Sequence, residues 1–380
     1  MDTCIVCGST DCEDVARTPP LPVVANHLPL SEREAREVPR ASLRLVWCAR
    51  CDHLFNAEFD PAMVDYALGY ENAQHFSPRF RDYLDQTVRR LGERHRLGGK
   101  HAVEIGCGDG YFLDLLRRDL GMTCVGYDPA VAPAGSAATE ALVAEPPRSD
   151  ARRSADFVCA RHVLEHVPDP VAFLETMFDC LRDPEGVGYV EVPSGSIIVR
   201  EGRIWELIYE HVSYFTPRSL GHALRRAGLA VRGQGRGFGD QFLWIEAGLG
   251  GRSVDCDDAP LTRGEIADFA ARLSGAIRTW RATMDRLHAA GRRVVLWGAG
   301  SKGVSFLNMV GGTGAMPPII VDVNPRKAGR FVPGTAQRVV PPHVLKDDRP
   351  DTVIVFNPQY TAEIGAALAE FGVAAEMLVV

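Results

Sequence analysis

The sequence contains no block of like charge and no long apolar run, and each absence removes a class of function. Its 380 residues carry 42 Lys and Arg against 49 Asp and Glu, a formal net charge of −7. No Lys/Arg run exceeds a pair such as Arg292–Arg293, so no basic stripe is offered to a phosphate backbone and nucleic acid is not an expected partner. No stretch nears the roughly 18 apolar residues that span a bilayer, and the N-terminus lacks the basic and apolar blocks of a secretory signal. The expectation is therefore a cytoplasmic enzyme with no membrane partner. With 46% hydrophobic and 24% charged residues the chain has the balance of a folded globular protein, and its length suits two or three domains, each with its own core.

Ten cysteines are present, and in such a chain they should be reduced thiols whose spacing matters more than their number. Four form two CxxC pairs, Cys4-Ile-Val-Cys7 and Cys48-Ala-Arg-Cys51. Two thiolates on one tight knuckle reach a single ion, and two knuckles complete a tetrahedral shell with no open position, which points to a structural Zn2+. The stretches between them, such as Pro19-Pro20-Leu21-Pro22 and Ser31-Glu32-Arg33-Glu34, are too poor in apolar residues to hold themselves together without a metal. Residues 1–60 are accordingly read as a zinc-binding module, with Cys12 a spare thiol.

Residues 61–98 have helical spacing, with Tyr66, Tyr70, His75, Phe76 and Phe80 as core aromatics; Tyr70 or Ser77 stands where it would cover a cofactor. A strand over 101–105 then runs into Gly106-Cys-Gly108-Asp-Gly110-Tyr111-Phe112, a glycine turn opening a helix, where positive φ lets the backbone approach a ligand. About twenty residues on, a second strand ends at Asp128-Pro129, an acid placed to accept hydrogen bonds from a ribose diol. NAD-binding folds share that pattern. Here the acid Glu104 precedes the glycines, and Asp156 to Val167, including Arg161 and His162, follows as a fourth strand and its junction. In these features the chain resembles the class I S-adenosyl-L-methionine (SAM) dependent methyltransferases. The resemblance implies that Glu104 orients the amino-acid end of SAM, that Asp128 holds its ribose, and that Gly106, Gly108, Gly110, Tyr111, Phe112, Pro129, Arg161 and His162 lie around it.

Beyond a fifth strand, read over Leu181 to Val190 by the same resemblance, comes Tyr209-Glu210-His211-Val-Ser-Tyr214-Phe215. A histidine beside a carboxylate and two tyrosines is a plausible proton-transfer unit, since imidazole titrates near neutral pH. The arrangement of CxxC pair, class I core, Glu-His-x-Ser-Tyr-Phe and a second C-terminal Rossmann-like unit resembles the zinc-containing deoxysugar C-methyltransferases that act on nucleotide-linked keto sugars. The resemblance implies a base at His211, with Glu210, Tyr209 and Tyr214 as its catalytic neighbours, forming an enolate that takes the methyl group. The family's tyrosine two places before the glutamate is Ile208 in this chain.

Residues 262–290 read as a helix, 251–284 as a helical linker and 285–380 as a second Rossmann-like domain. Its strand leads into Gly298-Ala-Gly-Ser301-Lys302-Gly303, and Asp322-Val-Asn-Pro-Arg-Lys327 follows. Alone this is a dinucleotide fingerprint; the resemblance implies instead a substrate-binding domain with Ser301, Lys302 and Asn357 as contacts. Val304 stands where that family has asparagine. The sequence thus predicts an α/β protein: a class I Rossmann-like core over 61–250, flanked by a zinc module and a second Rossmann-like domain. A small molecule, in its sharpest form a nucleotide sugar, is the expected partner, with a monomer or homodimer as the assembly. Methylation of a non-sugar metabolite at carbon, oxygen or nitrogen remains open, and RNA methylation or NAD binding are the more distant alternatives.

Overall fold

The computed structural model describes residues 2–66, 69–130, 153–256, 258–311 and 316–380, together with the backbone of 142–143. Among these, no helix is long and apolar enough to cross a membrane.

Three larger sheets organise the chain. The first is antiparallel, in the order Cys12–Arg17, Arg44–Cys48, His53–Asn56 and Ser213–Tyr214. Its fourth strand thus comes from far along the sequence. The second has seven strands, with Val187–Pro193, Phe157–Arg161, His101–Ile105, Thr123–Tyr127 and Leu142–Val143 running parallel. The antiparallel pair Ala230–Gly237 and Phe242–Gly248 closes one edge. Buried on both faces, its inner strands read as near-continuous apolar runs, Phe-Val-Cys-Ala over 157–160 for example. The third sheet is wholly parallel, in the order Arg338–Val340, Ile319–Val321, Val294–Trp297, Thr352–Val355 and Glu376–Val379. In both parallel sheets a glycine turn leads from a central strand into a helix, Tyr111–Leu120 in one and Ser301–Val310 in the other.

The helix expected over 262–290 runs Arg263–Ala289, started by a reciprocal capping box between Thr262 and Glu265. Ile266, Phe269, Leu273 and Ile277 bury its apolar stripe. The continuous helix expected over 61–98 is not present and is corrected. A short 3-10 turn covers Pro61–Met63, irregular chain follows, and the α-helix begins only at Pro78. Local chemistry explains the break. Pro78 has no N–H to continue a preceding helix but suits the first turn of a new one, where the Ser77 hydroxyl accepts from Phe80 N; Gly69 upstream sits at φ 109°.

Packing joins the sheets. Trp47 and Leu54 of the first sheet share one apolar core with Ile204, Tyr209, Leu296 and Phe306, while Val46 and Phe55 pack into another with Val103, Val158 and Phe215.

Candidate active site

The carboxyl ends of the two parallel sheets face a common cleft of about 200 Å3, the place where open α/β sheets bind ligands. His162, Glu165, His166 and His211 stand on one side; Trp297, Ser301, Lys302, Asp322 and Asn357 stand on the other. Tyr70 and Ser77 lie between.

His211 sits on the loop that ends in the strand Ser213–Tyr214. That loop is pinned to the first sheet. Asn56 N donates to Val212 O at 2.9 Å, and the Asn56 amide donates to Tyr209 O at 3.1 Å. Beneath it, a Cβ on Gly195 would meet Tyr214 O at 2.5 Å, so only glycine lets the two backbones approach. His211 Nδ1 is buried without a hydrogen-bond partner. Burial, reinforced by the nearby His166 and His162, holds this imidazole well below its ordinary pKa, so it is neutral at pH 7. The His166 ring lies edge-on to it at 4.8 Å and has its own Nδ1 2.9 Å from the Tyr66 hydroxyl.

None of the three expected neighbours lines the cleft. The Tyr209 hydroxyl is held by Asp60 N and Glu58 O, and that of Tyr214 by Ile208 N and O. Both phenols are spent on backbone groups and shape the loop. Glu210 turns to the N-terminal segment, where Oε1 accepts from Ala25 N at 3.1 Å; burial lifts its carboxyl to about 8.

His162 ends its strand in a left-handed conformation, φ 55°, with a ring edge at 3.6 Å from Glu165 and 3.3 Å from Glu191. Burial works against its charge, but hydrogen bonding and attraction from these carboxylates outweigh it and raise the imidazole to about 8. A residue held in this sparsely populated conformation at a cleft is the kind of strain that marks functional sites. Arg161 lies below, over the Phe112 ring and paired with Glu191 at 3.1 Å.

The first glycine turn lies apart from the cleft lining. Gly106, Gly108 and Gly110 have φ of 73°, 55° and 81°, and a Cβ on Gly108 would meet nothing within 4 Å, so the backbone is open to a ligand there. Asp128 Oδ2 accepts from Gly108 N at 2.8 Å and its Oδ1 from Ala130 N, while Pro129 is exposed in the next turn. Glu104 is buried with Oε2 unpartnered, and burial raises its carboxyl to about 8. An orphaned buried carboxylate beside an open glycine turn fits the cationic amino-acid end of SAM. Over the turn, His75 stacks on Tyr111 at 4.2 Å and Arg326 of the C-terminal unit reaches Asp109 at 2.9 Å.

Across the cleft, Lys302 Nζ donates to Glu206 at 2.8 Å and Gln241 at 3.1 Å. Asn357 and Gln241 exchange amide hydrogen bonds, and the Ser77 hydroxyl donates to Glu363 at 2.6 Å. Glu206 and Gln241 carried no motif, and only the fold brings them to the site. Glu165 and His166 were visible in Leu164-Glu-His-Val167 but belong to a common strand-to-helix junction.

The four thiols of the CxxC pairs converge. Cys4 Sγ is 3.6 Å from Cys51 Sγ and Cys7 Sγ 3.6 Å from Cys48 Sγ, close to the ~3.8 Å edge of a tetrahedron with ~2.3 Å metal–sulfur arms. All four lie within 4.8 Å of one another and are free of disulfides.

Known proteins place this geometry. The family described as "Methyltransferase domain" matches residues 75–234, and "C-methyltransferase C-terminal domain" matches 261–380. A protein of Mycolicibacterium smegmatis described as a "Probable S-adenosylmethionine-dependent methyltransferase" is 31% identical over 194 residues, 47% of this chain and 73% of that protein. The chain belongs to the SAM-dependent methyltransferases. Another such relative, C-methyltransferase NovU of Streptomyces niveus, is 30% identical over 245 residues, 61% of this chain; the match spans 56% of NovU's own length. The ubiquinone biosynthesis O-methyltransferase of Pseudomonas fluorescens SBW25 is 25% identical over 201 residues, 48% of this chain and 84% of that enzyme. Among solved structures, a SAM-dependent methyltransferase from Aquifex aeolicus aligns over 46% of this chain and 94% of its own at 15% identity, with a TM-score of 0.36.

Proposed function

We propose that this methyltransferase places a methyl group on a carbon next to the carbonyl of a small-molecule acceptor, with His211 as the base. The observation that carries the reading is a neutral, buried imidazole lining a cleft walled by both α/β units. A neutral imidazole can take the proton α to a keto group at pH 7 without first losing one of its own. His162, raised to about 8 and so charged at pH 7, lines the same cleft, where its positive charge offsets the negative charge of the resulting enolate. His166, oriented by Tyr66, borders His211 and limits its rotation. SAM, held by Glu104, Asp128 and the glycine turn, supplies the electrophilic methyl group. The α C–H pair becomes the new carbon–methyl bond as the methyl–sulfur bond breaks and its pair stays on sulfur, leaving S-adenosylhomocysteine; the proton resides on the His211 imidazole and is then returned to solvent.

Residues 61–250 serve as the SAM-binding domain, 285–380 as the acceptor-binding domain joined by the helical linker, and 1–60 as a module held by structural zinc on Cys4, Cys7, Cys48 and Cys51. The sequence resemblance makes a keto-deoxysugar, in its sharpest form a nucleotide-linked one, the acceptor class to test first. The matches to an O-methyltransferase keep an oxygen acceptor as the second reading.

The test is α-proton exchange into deuterated water on a panel of keto sugars with S-adenosylhomocysteine present, followed by turnover with SAM. His211→Ala is expected to lose exchange and turnover by roughly 10²–10⁴-fold while S-adenosylhomocysteine binds as in the wild type. Wild-type exchange in that variant, or a product methylated on oxygen, would sink the reading.

A further inference from the structure

The far wall of the cleft is the second glycine turn. Gly300 precedes the helix Ser301–Val310, and Gly298, Gly300, Ser301, Lys302 and Gly303 line the space. A helix start with a lysine beside it would ordinarily attract an anion. In this chain a carboxylate of the protein already stands against that lysine. Glu206, on the 3-10 turn Ile204–Glu206 that packs on the helix, is 7% exposed and lies 2.8 Å from Lys302 Nζ. Gln241 Oε1 accepts from the same ammonium at 3.1 Å. The second lysine of the lining is committed too: Lys327, 5% exposed, donates to Ala299 O at 3.1 Å and is 3.7 Å from Asp322. Among the described lining residues, four carboxylates, Glu165, Glu206, Asp322 and Glu363, face two lysines and the charged His162. A diphosphate entering this wall would have to pull Lys302 from a buried partner and bring its own negative charge against Glu206, which would keep only Arg203 at 3.5 Å, while His162 is already held by Glu165 and Glu191.

A vicinal diol meets no such cost. Its hydroxyls donate to the Glu206 carboxylate and accept from Lys302, while the amide nitrogens of Gln241 and Asn357, whose oxygens are already filled, each keep one further N–H to donate beside them. We propose that the wall formed by Glu206, Lys302, Gln241 and Asn357 recognises an uncharged, hydroxylated acceptor, so that the keto compound reaches this enzyme without a nucleoside diphosphate. The inference rests on the reading of this cleft as the acceptor site. It replaces the nucleotide-linked form that the sequence resemblance suggests with a polyol or a sugar already free of, or transferred from, its nucleotide.

The test needs no knowledge of the acceptor. Full-length protein saturated with S-adenosylhomocysteine is titrated calorimetrically with thymidine diphosphate and with inorganic pyrophosphate. The wild type is compared with Glu206→Gln, which keeps the shape of the side chain and removes its charge, and with a Glu206→Gln, Lys302→Met double variant. The expected result is at least fivefold tighter binding of both anions to Glu206→Gln than to the wild type, with the gain lost in the double variant. A smaller gain, or a gain that survives the loss of Lys302, overturns the proposal. Micromolar binding of thymidine diphosphate by the wild type overturns it without any variant, so a poorly folding Glu206→Gln does not shield it. Melting temperature and S-adenosylhomocysteine affinity confirm that the variants are folded. An error in the role of His211 would appear in exchange and turnover and leave these titrations unchanged, so the two readings fail separately.

Discussion

At the scale of single residues the site works through burial. Glu104 and His211 are both set by loss of water, in opposite directions of charge: the carboxyl is lifted to about 8 and so keeps its proton at pH 7, while the imidazole is held well below its ordinary value and so gives its proton up. For Glu104 the linkage has a definite sign. Its raised folded-state pKa favours the fold while the carboxyl is protonated, and that contribution fades as pH climbs from the ordinary value of about 4.3 through about 8. A cation arriving beside it ionises it. Binding of S-adenosylhomocysteine at pH 7 is therefore expected to release close to one proton, read as a heat that varies with the ionisation enthalpy of the buffer. Glu104→Gln should bind more weakly and show no such variation; an unchanged buffer dependence in that variant would assign the proton to another group. Glu104 and His211 stood out in the sequence by their motifs. Their protonation did not, because it depends on neighbours such as Arg161, Asp128, His166 and His162 that come from other elements.

At the scale of elements, the strand Ser213–Tyr214 decides where His211 stands. It is two residues long, too short to hold itself, and its register is given by Phe55 and Leu54 of the neighbouring strand. Asn56 finishes the connection, binding the loop by its own N–H and by its amide while Oδ1 accepts from Arg44 N and Glu58 N. Asn56→Ala keeps the backbone bond to Val212 O but leaves Tyr209 O, Arg44 N and Glu58 N without their side-chain partner, at a cost of about 1–3 kcal/mol, and frees the loop to drift. The expected outcome is turnover lower by roughly 10- to 100-fold, with metal content and S-adenosylhomocysteine affinity held at wild-type values. A variant that loses metal or cofactor in parallel would show a general structural role instead. Periodicity misjudged one element, the helix over 61–98. Its aromatics repeat at helical intervals, yet Tyr66 and Tyr70 lie in irregular chain before Pro78, because a helix start signal outweighs periodicity on its N-terminal side.

At the scale of the molecule, the N-terminal sheet is one body with the site. It borrows a strand from the His211 loop, and its Trp47 and Leu54 share a core with Leu296 and Phe306 of the C-terminal unit. Removal of a metal held by the four thiols, as proposed for residues 1–60, should therefore reach the cleft. Chelation is expected to lower the melting temperature and turnover together, and to raise hydrogen exchange at 209–215 as well as at the two CxxC knuckles, with recovery on adding Zn2+. Exchange that rises only at the knuckles would mean the sheet stands without its metal. By itself the sequence determined the two glycine turns, their acids Asp128 and Asp322, the paired CxxC knuckles and the parallel α/β class, since each depends on local φ, on side-chain spacing or on runs of apolar residues. Only the tertiary structure decided that the strand Ser213–Tyr214 joins the N-terminal sheet, that the Tyr209 and Tyr214 hydroxyls serve the loop, and that Glu206 meets Lys302. Those pairings join residues far apart in the chain or turn on where a side chain points, and neither leaves a pattern in sequence spacing.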